Sequence, residues 1–233
     1  MEDRDVALQR LVGADLVTFL AVYDGHGGAH VADRAATHLH ERVFPALERG
    51  GTPEDALRGA YADVDRGLAD AEHVGSTAAT VAIVDRRVVA AWVGDSQIIA
   101  GADGAVRFVS PAHRLDDAAE HARVVAAGAE IDRVYVMRGQ YGVMVTRALG
   151  DTWLRPVGVV ATPSTATIDL NLLPTPFVAI ASDGLWDVLS ADEVAHVFVT
   201  HGAERGFDYA RALVDRALAA GTRDNVTVVT ATW

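Results

Sequence analysis

The chain has 233 residues, half of them hydrophobic, and a formal net charge of −12. That length allows a large domain with a sizeable core, and the acidity argues against non-specific binding to phosphate backbones. There is no Cys, and all 20 basic residues are Arg, so disulfides, thiolate nucleophiles, Cys-ligated metals, Schiff bases and Walker lysines are excluded.

The apolar runs fall far short of the ~20 residues that span a bilayer, and MEDRDVALQR carries no apolar signal region. The expectation is a soluble cytoplasmic protein with no membrane or nucleic-acid partner. Nothing in the sequence sets an oligomeric state. No linker, charge block or internal repeat divides the chain, which reads as one domain over residues 1–233.

In chain order, residues 16–23 (LVTFLAVY) form an apolar run rich in β-formers, a buried strand that ends abruptly in Asp24-Gly25-His26-Gly27-Gly28. Val31, Ala35, Leu39 and Val43 then fall four apart, as on a helix. Thr52-Pro53-Glu54-Asp55 combines a capping hydroxyl, an early Pro and early acids, and predicts a second helix along Ala56, Ala60, Val64 and Leu68. After His73 come short β-rich runs broken by Asp-Arg and Ala-Asp-Gly turns, read as one antiparallel meander. A short helix is expected over 116–127, stopped by Gly128, then two or three strands up to 182, of which FVAIAS is the clearest. Ser190-Ala191-Asp192-Glu193 is a capping box opening a helix. Another helix is expected over 207–220, and NVTVVTAT predicts a final strand. Helices and strands that do not alternate as βαβ units predict an α+β layered sandwich, antiparallel sheets with helices outside.

Several Asp residues stand at the ends of apolar strands: Asp24 after VTFLAVY, Asp95 after VVAAWVG, Asp183 after FVAIAS, and Asp224 before NVTVVTAT. A carboxylate beside a core costs several kcal/mol unless it is paired or binds a cation. Asp-Gly alone is a common turn, but carboxylates gathered without Cys suit hard cations such as Mg²⁺ or Mn²⁺.

The order and wording of these motifs resemble the metal-dependent protein phosphatases of type 2C. The matching stretches are MED at 1–3, VYDGHGG at 22–28, GSTAATV at 75–81, VGDSQ at 93–97, TRALGD at 146–151, SDGLWDVLS at 182–190 and RDNVTVV at 223–229. The resemblance implies a four-layer αββα sandwich, two central antiparallel sheets flanked by helix pairs. It implies two Mn²⁺ or Mg²⁺ ions, with a third in many members, and a phosphorylated protein as substrate. Glu2 and Asp24 would be ligands of the binuclear centre, with Asp24 bridging, and Gly25 would offer its carbonyl. Asp183 and Asp224 would hold the other side, and Asp3 the outer shell. Asp95 and Asp187, with Asp183, match the third position. Phosphoserine or phosphothreonine would be hydrolysed directly by a metal-bridged water, with His26 as general acid; the blander reading of His26 is a turn residue or supporting donor.

Some features depart from that pattern. His113 lies in SPAHR where relatives carry Asp-His-Lys, with Ala112 and Arg114 replacing the flanking residues. Gln97 stands where relatives have Arg. Trp92 and Trp186 read as packing residues, and Arg147 and Asp151 as a structural pair. Residues 133–144 fall in the family's substrate-facing flap. Relatives carry a phosphate-binding Arg four residues before Glu2, on a first strand expected to be missing from residues 1–233. Arg4 is no substitute, since in a strand it sits ~6.6 Å beyond Glu2. That departure keeps open two alternatives, a weak or inactive regulatory pseudophosphatase and another metal hydrolase on this fold.

Overall fold

A computed structural model describes residues 1–202 and 206–233. In chain order the strands are β1 (Arg4–Val12), β2 (Asp15–Tyr23), β3 (Gly25–His26), β4 (Gly75–Ser76), β5 (Ala78–Val84), β6 (Arg87–Val93), β7 (Gln97–Ala102), β8 (Ala105–Val109), β9 (Glu130–Asp132), β10 (Tyr135–Arg138), β11 (Tyr141–Val143), β12 (Leu149–Gly150), β13 (Ser164–Asp169), β14 (Pro176–Ala181) and β15 (Val228–Thr232). The helices are α1 (His30–Glu48), α2 (Pro53–Arg66), α3 (Ala118–Ala126), α4 (Asp183–Trp186), α5 (Ala191–Thr200) and α6 (Tyr209–Ala219).

Two antiparallel sheets form the centre, in the orders β1-β2-β5-β6-β13 and β15-β14-β7-β8. The period-2 alternation of strand side chains sorts each strand's residues between two faces. On β2, Phe19, Ala21 and Tyr23 face α1 and α2, where they meet Leu39, Phe44 and Leu57. Leu20 and Val22 face the second sheet, where they join a core with Ile98, Val178 and Ile180. On the far side of that sheet, Ile99, Phe177 and Ala179 pack against Val194, Phe198 and Leu213 of α5 and α6. The layers therefore run α, β, β, α, as expected.

The helix starts follow their local chemistry. Thr52 caps α2, with Pro53 at its first position. Ser190 and Glu193 form the reciprocal capping box of α5. The expected helix over 207–220 begins later, at Tyr209, because the Asp208 side chain caps it by accepting from the Arg211 amide.

Two expectations need correction, and one strand is additional to them. The post-His73 region is not one continuous meander: β5 and β6 belong to the first sheet, β7 and β8 to the second. The chain crosses between them at Gly94-Asp95-Ser96, a stretch that resembles a hairpin turn in sequence. The region from 128 to 182 contains six described strands rather than two or three, including a small sheet of order β11-β10-β9. Finally, the N-terminal residues lead into a full nine-residue strand, β1, paired with β2 from Arg4↔Tyr23 to Val12↔Asp15. Its exposed edge position explains its mixed polar composition.

The first core contains a buried polar anchor. The buried Tyr61 hydroxyl on α2 donates to the Ala91 carbonyl at 2.8 Å, beside Thr80 Oγ1 at 3.1 Å. Tyr61→Phe leaves that network short of a donor and is expected to destabilise the fold by ~1–2 kcal/mol in urea denaturation. Among the described residues no helix is long and apolar enough to cross a membrane.

Candidate active site

The ends of several strands meet at one end of the sandwich. β2 runs out into Asp24, the β6–β7 crossing presents Asp95, β14 delivers Asp183, and the segment before β15 delivers Asp224. All four line a cleft of about 360 Å³, together with His26 and Tyr135, Tyr141 and Met144 from the flap region. The cleft floor is pinned by the backbone. The Asp24 amide donates to Thr77 Oγ1 at 3.1 Å, the Thr77 amide donates to the Asp24 carbonyl at 2.9 Å, and Thr77 Oγ1 lies 2.6 Å from Ser96 Oγ. Glycine is needed at 25 because a Cβ there would come within 2.9 Å of the Glu2 carbonyl oxygen.

The N-terminal acids are also held at this end. Asp3 is buried and accepts a 2.7 Å hydrogen bond from Thr227 Oγ1. Arg4 donates to the Asp3 carbonyl at 2.7 Å and pairs with Asp33 of α1, so it braces the segment and does not face the cleft. The Glu2 backbone abuts Gly25, and its charge acts on His26. Neither Glu2 nor Asp3 lines the cleft, and neither does Asp187, which is exposed at the end of α4 and reaches Asp183 only through its field.

The electrostatics show what this end lacks. Burial, then the charges of Asp3, Asp183, Asp95 and Asp224, push the Asp24 carboxyl up to about 9. Asp183 is pushed up to about 6 by burial, then by Asp95 and Asp187, with Arg114 working against the rise. Among the described residues no three Asp, Glu or His side chains stand in ligating positions. The cluster nevertheless offers only oxygen donors and is short of positive charge, the chemistry that Mg²⁺ and Mn²⁺ match. The residues fit such ions in donor type and charge.

His26 is held differently. Its Nε2 lies 2.7 Å from Asp151 Oδ2, and Tyr141 donates to Asp151 Oδ1 at 2.8 Å. Asp151 is wholly buried. Burial pulls the imidazole pKa down, but the hydrogen bond and charge of Asp151, with Asp95 and Glu2, outweigh it and raise the pKa above its ordinary value.

The expected Arg147–Asp151 pair does not form. Arg147 instead pairs with the buried Glu120, which Arg123 and Thr146 also contact. These donors overcome burial and hold the Glu120 carboxyl well below the usual carboxylate range. Asp151 belongs to His26. His113 is buried, stacked on Trp92, and 2.9 Å from Ser164 Oγ. Burial, with the Arg147 charge, pushes its pKa down to about 4, so it is a neutral packing residue. Trp92 donates to the Pro111 carbonyl and Trp186 to the Ala181 carbonyl, both in packing roles. The sequence reading missed the links of Asp151 and Tyr141 to His26, because 125 residues separate His26 from Asp151. It also missed Arg114, which bridges Asp95 and Asp183.

The family model described as protein phosphatase 2C matches residues 1–226. The chain belongs to the protein phosphatase 2C family. Its similar curated relatives include probable protein phosphatase 2C 69 of Arabidopsis thaliana, 34% identical over 94% of this chain and 62% of the relative. Human protein phosphatase 1F is 32% identical over 98% of this chain and 53% of the relative. The chain thus spans about 50–60% of the length of several such relatives. A solved structure of a sex-determining protein from C. elegans superposes with a TM-score of 0.85 at 28% identity, covering 99% of this chain and 61% of that one. The serine-threonine phosphatase 2C of Toxoplasma gondii superposes with a TM-score of 0.88 at 21% identity, covering 99% of this chain and 90% of that one. That match is a likeness of fold, and it agrees with the four layers described above.

Proposed function

We propose that this protein phosphatase 2C family member hydrolyses phosphoserine and phosphothreonine in proteins with the help of divalent cations. The observation that carries the reading is that Asp24, Asp95, Asp183 and Asp224, drawn from four separate motifs, line the one cleft that also holds His26. Asp24, Asp183 and Asp224, with Glu2, Asp3 and the Gly25 carbonyl, would hold two Mn²⁺ or Mg²⁺ ions. Such ions supply positive charge against phosphoryl oxygens and lower the pKa of water enough for attack at neutral pH. The absence of Cys rules out a cysteinyl-phosphate intermediate.

In this reading His26 would be the acid. Asp151 occupies its Nε2, so Nδ1 is the nitrogen left to give a proton to the departing Ser or Thr oxygen. The raised pKa favours the protonated ring that this role requires. Asp151 orients the ring, and Tyr141 secures the other carboxylate oxygen.

The test is phosphate release from a phosphopeptide and from an activated aryl phosphate, with Mn²⁺. His26→Ala is expected to slow the phosphopeptide by ~10²-fold or more and the aryl phosphate much less. Equal slowing of both would remove His26 from the acid role, and turnover that survives chelation would overturn the metal-dependent reading.

One observation favours a second reading, a catalytically weak regulatory protein. Among the described residues no Arg lines the cleft, and Arg4 is engaged by Asp33. A phosphate there lacks the bidentate anchor a guanidinium provides. Metal binding in calorimetry without turnover of either substrate would decide for that reading.

A further inference from the structure

The family resemblance puts a third ion among Asp95, Asp183 and Asp187. In this chain a side chain already stands there. Arg114 Nε donates to Asp95 Oδ2 at 2.6 Å, and its second arm donates to Asp183 Oδ2 at 3.1 Å. One guanidinium thus bridges the two carboxylates, within the field of Asp187 as well.

The bridge rests on a rigid mount. The Arg114 backbone forms an isolated β-bridge with Val145. The preceding residue, His113, donates from its amide to the Gly94 carbonyl at 2.9 Å, and its carbonyl accepts from the Thr146 amide at 2.8 Å. The same two residues therefore brace the turn that carries Asp95 and the segment that carries Met144 and Val145. The guanidinium is mostly buried, with 27% of its side chain exposed, and Asp95 is nearly enclosed at 7%.

We infer that Arg114 is a permanent internal cation that takes the place of the third divalent ion, so that this chain's centre binds one ion fewer than its carboxylates would otherwise accept. The inference rests on the metal-dependent reading above. Two physical facts support it. An oxygen committed to Arg114 must share its lone pairs or give up that hydrogen bond to ligate a cation, and a divalent ion beside an undisplaced guanidinium meets like-charge repulsion. Arg114 uses one oxygen of Asp183 and leaves Oδ1 for the two-ion centre. It is a positioning residue for Asp183 that requires no free metal.

The experiment counts Mn²⁺ ions by isothermal titration calorimetry and by electron paramagnetic resonance of free Mn²⁺, on the whole chain. Arg114→Met is expected to bind one Mn²⁺ more than the wild type, and Asp187→Asn to remove that extra ion in the Arg114→Met background. In the wild-type background Asp187→Asn should leave the count unchanged, which tests the idea in a chain whose Arg114 anchor is intact. Three Mn²⁺ on the wild type, or the same count with and without Arg114, overturns the inference. A wild type that binds no Mn²⁺ overturns the metal-dependent reading and this inference with it; three ions overturn this inference alone.

Discussion

Asp24→Asn is expected to reduce metal-dependent turnover by ~10³-fold or more while making the metal-free chain more stable at alkaline pH. The two effects have one cause. Asp24 is withdrawn from water and, to a lesser extent, crowded by Asp3, Asp183, Asp95 and Asp224, so its carboxyl is pushed up to about 9. Its ordinary value in an unfolded chain is ~3.9. A carboxyl raised in the folded state contributes stability that is complete below ~pH 4 and is lost as pH rises through about 9. Between pH 7 and 9 the metal-free wild type should therefore lose ~5 °C of melting temperature. Asn carries no charge to desolvate, so the variant's slope should be much shallower. His26, whose raised pKa acts in the same direction, contributes to the slope that remains. Mn²⁺ should cancel the wild-type decline and do little for the variant, because the ion stabilises the ionised form that folding alone disfavours. Thermal melts at pH 7, 8 and 9, with Mn²⁺ or with a chelator, read all of this. A variant less stable than the wild type at pH 9 without metal would contradict the account of Asp24.

This conflict between site and fold explains which features the sequence disclosed. Signals that act within one turn of chain were legible. Thr52 with Pro53, and Ser190 with Glu193, satisfy orphan amides a few residues away, and both helices start where those residues indicate. The strand-end carboxylates were legible as a set because each breaks an apolar run. The partners of those groups were not. Arg147 and Asp151 are close in sequence, yet Arg147 turns to Glu120 on α3 and Asp151 to His26, since neighbours in an irregular segment need not share a face. The crossing at Gly94-Asp95-Ser96 has hairpin composition, and only the packing of two sheets decides that β7 leaves β6. β1 was passed over because it lies at a sheet edge and exposes much of its length, so the buried alternation that marks a strand is weak. Arg114 stood out only as a departure from a pattern. Its role depends on Asp95 and Asp183, 19 and 69 residues away.

Gly75→Ala is expected to disable the proposed general acid, His26, while leaving the carboxylate cluster in place. Gly75 in β4 pairs with His26 in β3, and Leu149-Gly150 pairs on the other side. The strand pairing thus brings Asp151, the next residue, beside His26. A Cβ at 75 would land on Asp151 Oδ2 and His26 Nε2, the two atoms of the dyad's hydrogen bond. The Gly75 backbone is not in the left-handed region, so the expected penalty is steric rather than conformational. Asp151 cannot simply swing away, because it is wholly buried and its other oxygen holds Tyr141. Overpacking at such a site costs ~1–3 kcal/mol of stability, which denaturation would record. The decisive reading is kinetic. Without Asp151 the imidazole loses both its orientation and the interaction that raises its pKa, so turnover of a phosphopeptide should fall by ~10²-fold. An aryl phosphate whose leaving group needs no proton should be hydrolysed nearly as before. Adding His26→Ala to Gly75→Ala should then cost little more than either change alone, since both remove the same function. Losses that multiply in the double variant would mean that Gly75 supports the site by a route that does not pass through His26.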